Sequence, residues 1–344
     1  MGPSSSDRRN QLNPLRFLPW ASPALINARV PQPATQPDRM VRRLRSGFIA
    51  ALCLAAPSSV SAAPLQDATR LVVLGTGTPN PDPERSGPAL AVVVNGTAYL
   101  VDAGPGVVRR AAEAERNGIA ALGASRLGIA FLTHLHSDHT VGLPDLIHTS
   151  WVLERAGPFQ LLGPRGTSAM ARHLTAAWEE DIRIRTGGPQ PHTKEGWVVD
   201  ARDVDPGVAY RDSNVTVTAF EVAHTNWPQA FGYRFQTRDR VIVISGDATP
   251  SAAVVAACNG CDLLVHEVYS AEAFKTRPPE WQRYHAGAHT STVELAALAT
   301  RARPALLVLY HQLYWGVTDD DLIREIREAG YAGAVVSARD LGVY

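Results

Sequence analysis

The chain has 344 residues, of which 45% are hydrophobic and 19% charged, with three cysteines. This composition fits a folded globular protein, excludes wholesale disorder and collagen-like or coiled-coil architecture, and is too cysteine-poor for a disulfide scaffold. The formal charge of zero hides an uneven spread, because residues 1–62 hold eight arginines and only two acidic side chains, Asp7 and Asp38.

Residues 1–39 carry seven prolines and no apolar period, which reads as a disordered leader or a mis-assigned start. Met40-Val-Arg-Arg-Leu-Arg-Ser is basic, Gly47 to Ala56 is a run of ten uncharged residues, and Val60-Ser-Ala62 ends in small residues. A basic start, a short apolar run and a small-residue site predict a secretory signal peptide over 40–62, cut after about Ala62. The product would be periplasmic or secreted. Ten helical residues rise about 15 Å, whereas a span needs about 20 apolar residues, so no stable membrane anchor is expected. Removing residues 1–62 from 33 basic and 33 acidic side chains leaves 25 against 31, about −6. That acidic balance does not suit phosphate-backbone binding, and no nucleic-acid partner is expected. Residues 63–344 are long enough for one sizeable core and are read as one domain.

The elements then follow in order. Leu71–Leu74 is a short strand, and Ala89–Val94 and Thr97–Asp102 flank the hairpin signal Asn95-Gly96. Pro105 opens a helix that Gly118 stops. Leu127–Thr133 is a strand, Pro144–Ala156 a helix, Phe159–Leu162 a strand and Thr167–Glu180 a helix. Residues 186–214 are turn-rich and irregular. Val215–Val222, Phe231–Gln236 and Arg240–Ser245 are strands, Pro250–Ala257 a short helix, and Asp262–Val268 a strand. Ser291-Thr-Val-Glu294 is a capping box for a helix to Ala302. Ala305–Tyr310 is a strand, Thr318 caps a helix stopped by Gly330, and Ala334–Ser337 is the last strand. Each half opens with strands and continues with mixed strands and helices, which two packed sheets with helices outside would satisfy.

The stretch that carries chemistry is His134-Leu-His136-Ser-Asp138-His139, directly after an apolar strand. His134 and His136 have period-two spacing and can leave the strand on one side, while Asp138 and His139 arrive from the turn beyond. Imidazole and carboxylate together suit zinc, and also iron or manganese. Strand ends in the second half offer further donors of the same types, among them His224, Asp247 and His311, each of which taken alone is an ordinary polar strand-end residue.

The loop resembles the H-x-H-x-D-H signature of the metallo-β-lactamase-fold hydrolases, and the resemblance covers about residues 70–344. Within that superfamily the chain is most similar to the ribonuclease Z and arylsulfatase-like group. The supporting stretches are Leu74-Gly-Thr-Gly-Thr-Pro79 with Arg85, Leu100-Val-Asp-Ala-Gly104, His266-Glu267, His289-Thr-Ser291 and Tyr310-His311. The resemblance implies an α/β fold, a four-layer αββα sandwich. It also implies two Zn²⁺ ions, with Mn²⁺ or Fe²⁺ as alternatives. His134, His136 and His224 would hold one ion, Asp138, His139 and His311 the other, and Asp247 would bridge them. A hydroxide shared by two such ions attacks an ester or phosphoryl centre. Asp138, His289 and Glu267 are the side chains assigned to catalysis itself. His289 is either a general acid or substrate-binding group or a capping residue. Glu267 either orients His289 or a ligand, or is a satisfied buried carboxylate. Asp102 is a candidate to orient a ligand histidine.

Other features point elsewhere only weakly. Gly75-Thr-Gly77 lacks a third glycine at dinucleotide spacing, and Pro79 intrudes. Cys258-Asn-Gly-Cys261 has no second pair, so redox-motif and zinc-knuckle readings are weak; an oxidising compartment would allow a small structural disulfide, which the sequence does not decide. His148, His173 and His192 are read as structural or exposed. Asn226-Trp227-Pro and Tyr314-Trp315 follow two proposed ligands and either line the pocket or pack. The expected function is exported hydrolysis of a small ester, a phosphodiester or an aryl sulfate ester. A ribonuclease Z-type transfer-RNA 3′-processing endonuclease and a lactonase are the alternatives. The partner expected is a small-molecule ester, with a homodimer left open. Asp247 argues against β-lactam hydrolysis, and loops 79–88, 181–213 and 270–288 are the expected seat of specificity.

Overall fold

The computed structural model describes residues 68–344. The leader and the signal-peptide segment lie outside the described residues. The first sheet holds β1 (Arg70–Gly75), β2 (Ala89–Val94), β3 (Thr97–Val101), β4 (Ile129–Phe131), β5 (Phe159–Gly163) and β6 (Val199–Asp203), in that spatial order. The second holds β7 (Gly207–Arg211), β8 (Thr216–Val222), β9 (Ala230–Gln236), β10 (Val241–Ile244), β11 (Leu263–Tyr269), β12 (Leu306–Leu313) and β13 (Val335–Ser337), again as sequential neighbours. In each sheet antiparallel pairing comes first and parallel pairing follows, from β3 to β6 and from β10 to β13.

The helices are α1 (Val107–Arg116), α2 (Ser137–Thr140), α3 (Leu143–Val152), α4 (Thr167–Ala177), α5 (Glu179–Gly187), α6 (Ala252–Cys258), α7 (Ala271–Phe274), α8 (Pro279–Ala286), α9 (Thr292–Ala302) and α10 (Asp319–Glu328). Strand alternation decides the layering. On β2, Leu90 and Val92 face the second sheet and pack with Val217, Phe231, Tyr233 and Phe235. Ala89, Ala91 and Val93 face the opposite way, toward Val107 and Ala111 of α1 and Leu146 of α3. On β11, Val265 joins the inter-sheet core while Leu264 and Val268 meet Leu295 and Ala299 of α9 and Leu322 and Ile326 of α10. Strands buried on both faces need cover on both, so the chain forms a four-layer αββα sandwich.

Several elements depart from the sequence expectation. The turn-rich stretch 186–214 contains β6 and β7. Both are edge-type strands with exposed charged residues such as Asp200 and Arg202, which mask the β signal. The helix expected over 167–180 divides at Trp178, which leaves helical geometry (φ −106°, ψ 17°) and serves as the end of α4 and the start of α5. The strand expected to reach Thr133 ends at Phe131. The reason is local: the Thr133 amide donates to Asp102 Oδ1 (2.8 Å) instead of continuing a ladder. Cys258 and Cys261 form a disulfide between the end of α6 and the start of β11. Among the described residues no helix is long and apolar enough to cross a membrane.

Candidate metal centre

The histidine-rich loop is held from both sheets. Tyr233 Oη donates to the Leu132 carbonyl (2.7 Å), and the Phe231 amide donates to the Thr133 carbonyl (2.8 Å). From the first sheet, the Ala103 amide donates to the His139 carbonyl and the Gly142 amide to the Ala103 carbonyl, both at 2.8 Å. This approach requires glycine. A Cβ on Gly142 would fall on the carbonyl oxygens of Gly104 and Ala103, and one on Gly104 would meet the Asp138 carbonyl oxygen at 2.7 Å. His134 and His136 therefore leave from the loop beyond β4 rather than from the strand, with His136 at the N-cap of α2. Asp138 and His139 come from that one helical turn.

The other three donors arrive from the second sheet. His224 lies two residues past β8. Asp247 follows β10 through Gly246, whose φ of 62° is a conformation suited to glycine. His311 sits on a bulge in β12: Glu267 pairs with Tyr310 and Val268 with Gln312, so His311 is extruded with φ 46°. A bulge re-aims a side chain and uses backbone strain to do so.

All seven predicted ligand side chains meet. Donor atoms of His134, His136 and His224 lie within 4.8 Å of one another, as do those of Asp138, His139 and His311, and those of His134, His139 and Asp247. Asp247 Oδ2 is 3.5 Å from His139 Nε2 and 3.5 Å from His311 Nε2. Asp138 Oδ2 is 3.3 Å from His311 Nε2 and 3.5 Å from His139 Nε2.

The outer ring nitrogens fix the tautomers. Asp102 Oδ2 accepts from His139 Nδ1 (2.8 Å). Thr133 Oγ1 donates to Asp102 Oδ2 (2.9 Å) and so accepts from His134 Nδ1 (3.0 Å). The Ala288 carbonyl accepts from His224 Nδ1 (2.8 Å). Each partner leaves the Nε2 lone pair pointing inward, the arrangement that second partners of metal-binding histidines create. His139 Nε2 and Asp247 Oδ1 are buried with no hydrogen-bond partner among the described residues. Orphaned buried donor atoms in a nitrogen-and-carboxylate set fit divalent cations. His136 differs. Trp227 Nε1 donates to His136 Nε2 (2.8 Å), which in the neutral ring leaves the proton on Nδ1, beside His134 Nε2 (3.0 Å) and His224 Nε2 (3.1 Å). Ligation through Nδ1 requires that proton to leave and Trp227 to yield.

The electrostatics follow from burial and neighbours. Burial pushes His134 well below the ordinary histidine range, with His139 adding to the effect. Burial opposes charge on His139 as well, but Asp247 and Asp102 outweigh it and raise its pKa well above normal. Burial would raise Asp247, yet His311 and His139 hold it well below the usual carboxylate range.

His289 Nδ1 lies 3.3 Å from Glu267 Oε2. Burial lowers His289 to about 4, while burial and Asp247 raise Glu267 well above a normal carboxyl. Both shifts favour the uncharged form of the group concerned. Glu267 also accepts the Thr290 amide (2.7 Å), which fixes it below His289. A cavity of about 880 Å³ opens onto His136, Asp138, Asp247, His289 and His311. Thr133, the Ala288 carbonyl and the Trp227 contact were not singled out in the sequence as holding ligands. A hydroxyl next to a ligand histidine was the one available signal, and a backbone carbonyl has none.

Comparison with known proteins accords with this geometry. The family model described as "Beta-lactamase superfamily domain" matches residues 97–312. Ribonuclease Z of Mycobacterium sp. (strain KMS) is 37% identical over 245 residues, covering 71% of this chain and 84% of the relative. Ribonuclease Z of Mycobacterium bovis (strain BCG / Pasteur 1173P2) is 30% identical over 275 residues, covering 79% and 96%. The crystal structure of human tRNase Z, short form, superposes with a TM-score of 0.59 at 22% identity, over 80% of this chain and 98% of that one. This chain belongs to the metallo-β-lactamase superfamily of hydrolases, with ribonuclease Z among its relatives.

Proposed function

We propose that this protein cleaves phosphodiester bonds with two divalent ions, Zn²⁺ in the first instance. The observation that carries the reading is the convergence of seven donors, with His139 Nε2 and Asp247 Oδ1 buried and unpartnered, in a relative of ribonuclease Z. His134, His136 and His224 would hold one ion, Asp138, His139 and His311 the other, with Asp247 between them. Divalent ions held there would supply Lewis-acid activation of water and would offset charge developing on phosphoryl oxygens. The chain's own contribution is orientation and proton handling. Asp102 aims His139 directly and His134 through Thr133. His289, oriented by Glu267 Oε2 at 3.3 Å from its Nδ1, lines the cavity and is the group placed to handle the proton of a leaving oxygen.

The relatives favour the ribonuclease Z alternative over the aryl sulfate reading, and they weigh against excluding nucleic acid as a partner. Phosphodiester cleavage is the chemistry that RNA and small-diester substrates share. The acidic balance of residues 63–344 and the absence of a long Gly/Pro-rich arm in the sequence favour the smaller substrate. Export of the protein is part of this reading and rests on residues 40–62.

The test uses protein purified from its host. Metal content, the N-terminal residue, and turnover of an aryl phosphodiester, a precursor transfer RNA, an aryl sulfate and a lactone are measured, with His136→Ala alongside. Diester or RNA turnover that His136→Ala abolishes supports the reading. Turnover of the sulfate or lactone alone overturns it, as does an active His136→Ala. An N-terminus upstream of residue 62 removes the export element.

A further inference from the structure

The cavity has two unlike ends. The metal-ligand end is buried and polar. The other end is aromatic, built by the segment 270–288 and by Trp315. Trp281 is 47% exposed and Tyr284 41%, both in the cavity wall. Their rings are edge-on to one another at 5.8 Å, and Trp281 stacks on His285 at 5.6 Å and 24°. His285 lies 4.6 Å from Trp315 and 5.6 Å from His289. His289 stacks on His311 (5.9 Å, 20°), and His311 on His139 (5.2 Å, 25°). An unbroken series of rings thus runs from the ligands to the exposed face of Trp281.

This wall is fixed in place. Both ends of the segment are tied to one buried carboxylate. Glu325 of α10 accepts from Ser270 Oγ (2.6 Å) and the Ala271 amide (2.8 Å) at one end and from Thr292 Oγ1 (2.5 Å) just past the other. The Thr225 amide donates to the Gly287 carbonyl (3.0 Å), next to the Ala288 carbonyl that orients His224. Aromatic side chains on a braced segment lose little conformational freedom when a ring stacks on them. Arg277 adds charge. Its guanidinium stands 5.3 Å over the Trp315 ring, lines the cavity and makes no ion pair among the described residues.

We infer that Trp281, Tyr284 and Trp315, with Arg277, form a shelf for a flat aromatic ring carried by an anionic substrate close to its scissile ester. The ring is a nucleobase or an aryl group. The anionic ester rests on the phosphodiester reading above, whereas the ring preference does not. A substrate whose ester occupies the ligand end places its nearest substituent against Tyr284 and Trp281. The exposed aromatic faces are then the specificity element of the 270–288 segment.

The experiment is binding of product-like monoesters to the metal-loaded protein, by calorimetry. The probes are phenyl phosphate, adenosine 5′-monophosphate and methyl phosphate, with phenyl sulfate and methyl sulfate as a second pair. The aromatic member of a pair is expected to bind roughly 10-fold more tightly than the methyl member, about 1.4 kcal/mol. Trp281→Ala is expected to bring the ratio near one, and Trp281→Phe to keep most of it. The tighter of phenyl phosphate and the nucleotide identifies aryl group or base. Equal binding of aromatic and methyl members in both pairs overturns the shelf, as does a ratio that survives in Trp281→Ala. No binding of any aromatic probe at millimolar concentration overturns it too, and an aromatic face that takes another protein would give that result. A phenyl preference found in an enzyme without diester turnover sinks the phosphodiester reading and leaves the shelf standing.

Discussion

Asp102 holds His139 Nδ1 at 2.8 Å from a left-handed backbone conformation (φ 62°), which aspartate tolerates better than most non-glycine residues. The same carboxylate takes the Thr133 amide (2.8 Å) and hydroxyl (2.9 Å). It therefore aims His139 directly and His134 through Thr133. Asp102→Ala is expected to weaken zinc binding by about 10- to 100-fold while leaving all seven ligands in place. Zinc titration against a competing chelator checks this. Unchanged affinity would mean that Asp102 serves only to close the strand end.

Metal binding couples to folding, because buried carboxylates and imidazoles crowd together without it. A cation present at about 1,000 times its Kd adds about 4 kcal/mol of stability. For a domain of this size that corresponds to roughly 10 °C. Dialysis against chelator is expected to lower the Tm by that order, and zinc to restore it. Asp247→Asn is expected to lose most of the zinc-dependent rise, read by scanning calorimetry with and without metal.

Gly142 has no room for a methyl group, since Ala103 and Gly104 carbonyls occupy the space. Gly142→Ala must push the ligand loop off the end of β3. Overpacking of this kind costs about 1–3 kcal/mol. Because Asp138 and His139 move with the loop, zinc affinity is expected to fall in the same variant. A urea titration and a zinc titration on the one protein test both halves of the statement.

Glu325 satisfies three donors from two chain segments. Glu325→Ala leaves them buried and unpaired, at a cost of about 3 kcal/mol. Urea unfolding measures the loss. Limited proteolysis should locate new cleavage within 270–288, and cleavage elsewhere would contradict the bracing role.

His148 supplies the pH dependence away from the metal ligands. It is buried, stacks on Trp178 at 5.2 Å, and has no partner for either ring nitrogen among the described residues. Burial lowers its pKa below the ordinary value. The unfolded chain then binds the proton at higher pH than the folded protein does. This contribution to stability is complete above the unfolded pKa of about 6.5 and is lost as pH falls toward the folded value. His148→Phe should flatten that part of the stability–pH curve. Denaturant midpoints at pH 7.5 and pH 5 for the two proteins provide the comparison.

Local sequence marked the fold where one strand or helix carries its own signal. Asn95-Gly96 announced the β2–β3 hairpin, and Ser291 through Glu294 the start of α9, because turn and cap chemistry is complete within four residues. His134, His136, Asp138 and His139 were legible for the same reason. His224, Asp247 and His311 could be proposed only from strand ends and from likeness to a family. Their meeting depends on two sheets packing face to face, which no short window of residues encodes. The structure alone decided how each ligand is aimed: by a bulge at His311, by the Ala288 carbonyl at His224 and by the packing of Gly104 against Gly142. Backbone carbonyls, bulges and close approaches carry no residue-type signature. The exposed aromatic wall was equally hidden, since Trp281 and Trp315 are 34 residues apart in the chain and come to line one cavity, with His285 between them, only in the folded protein.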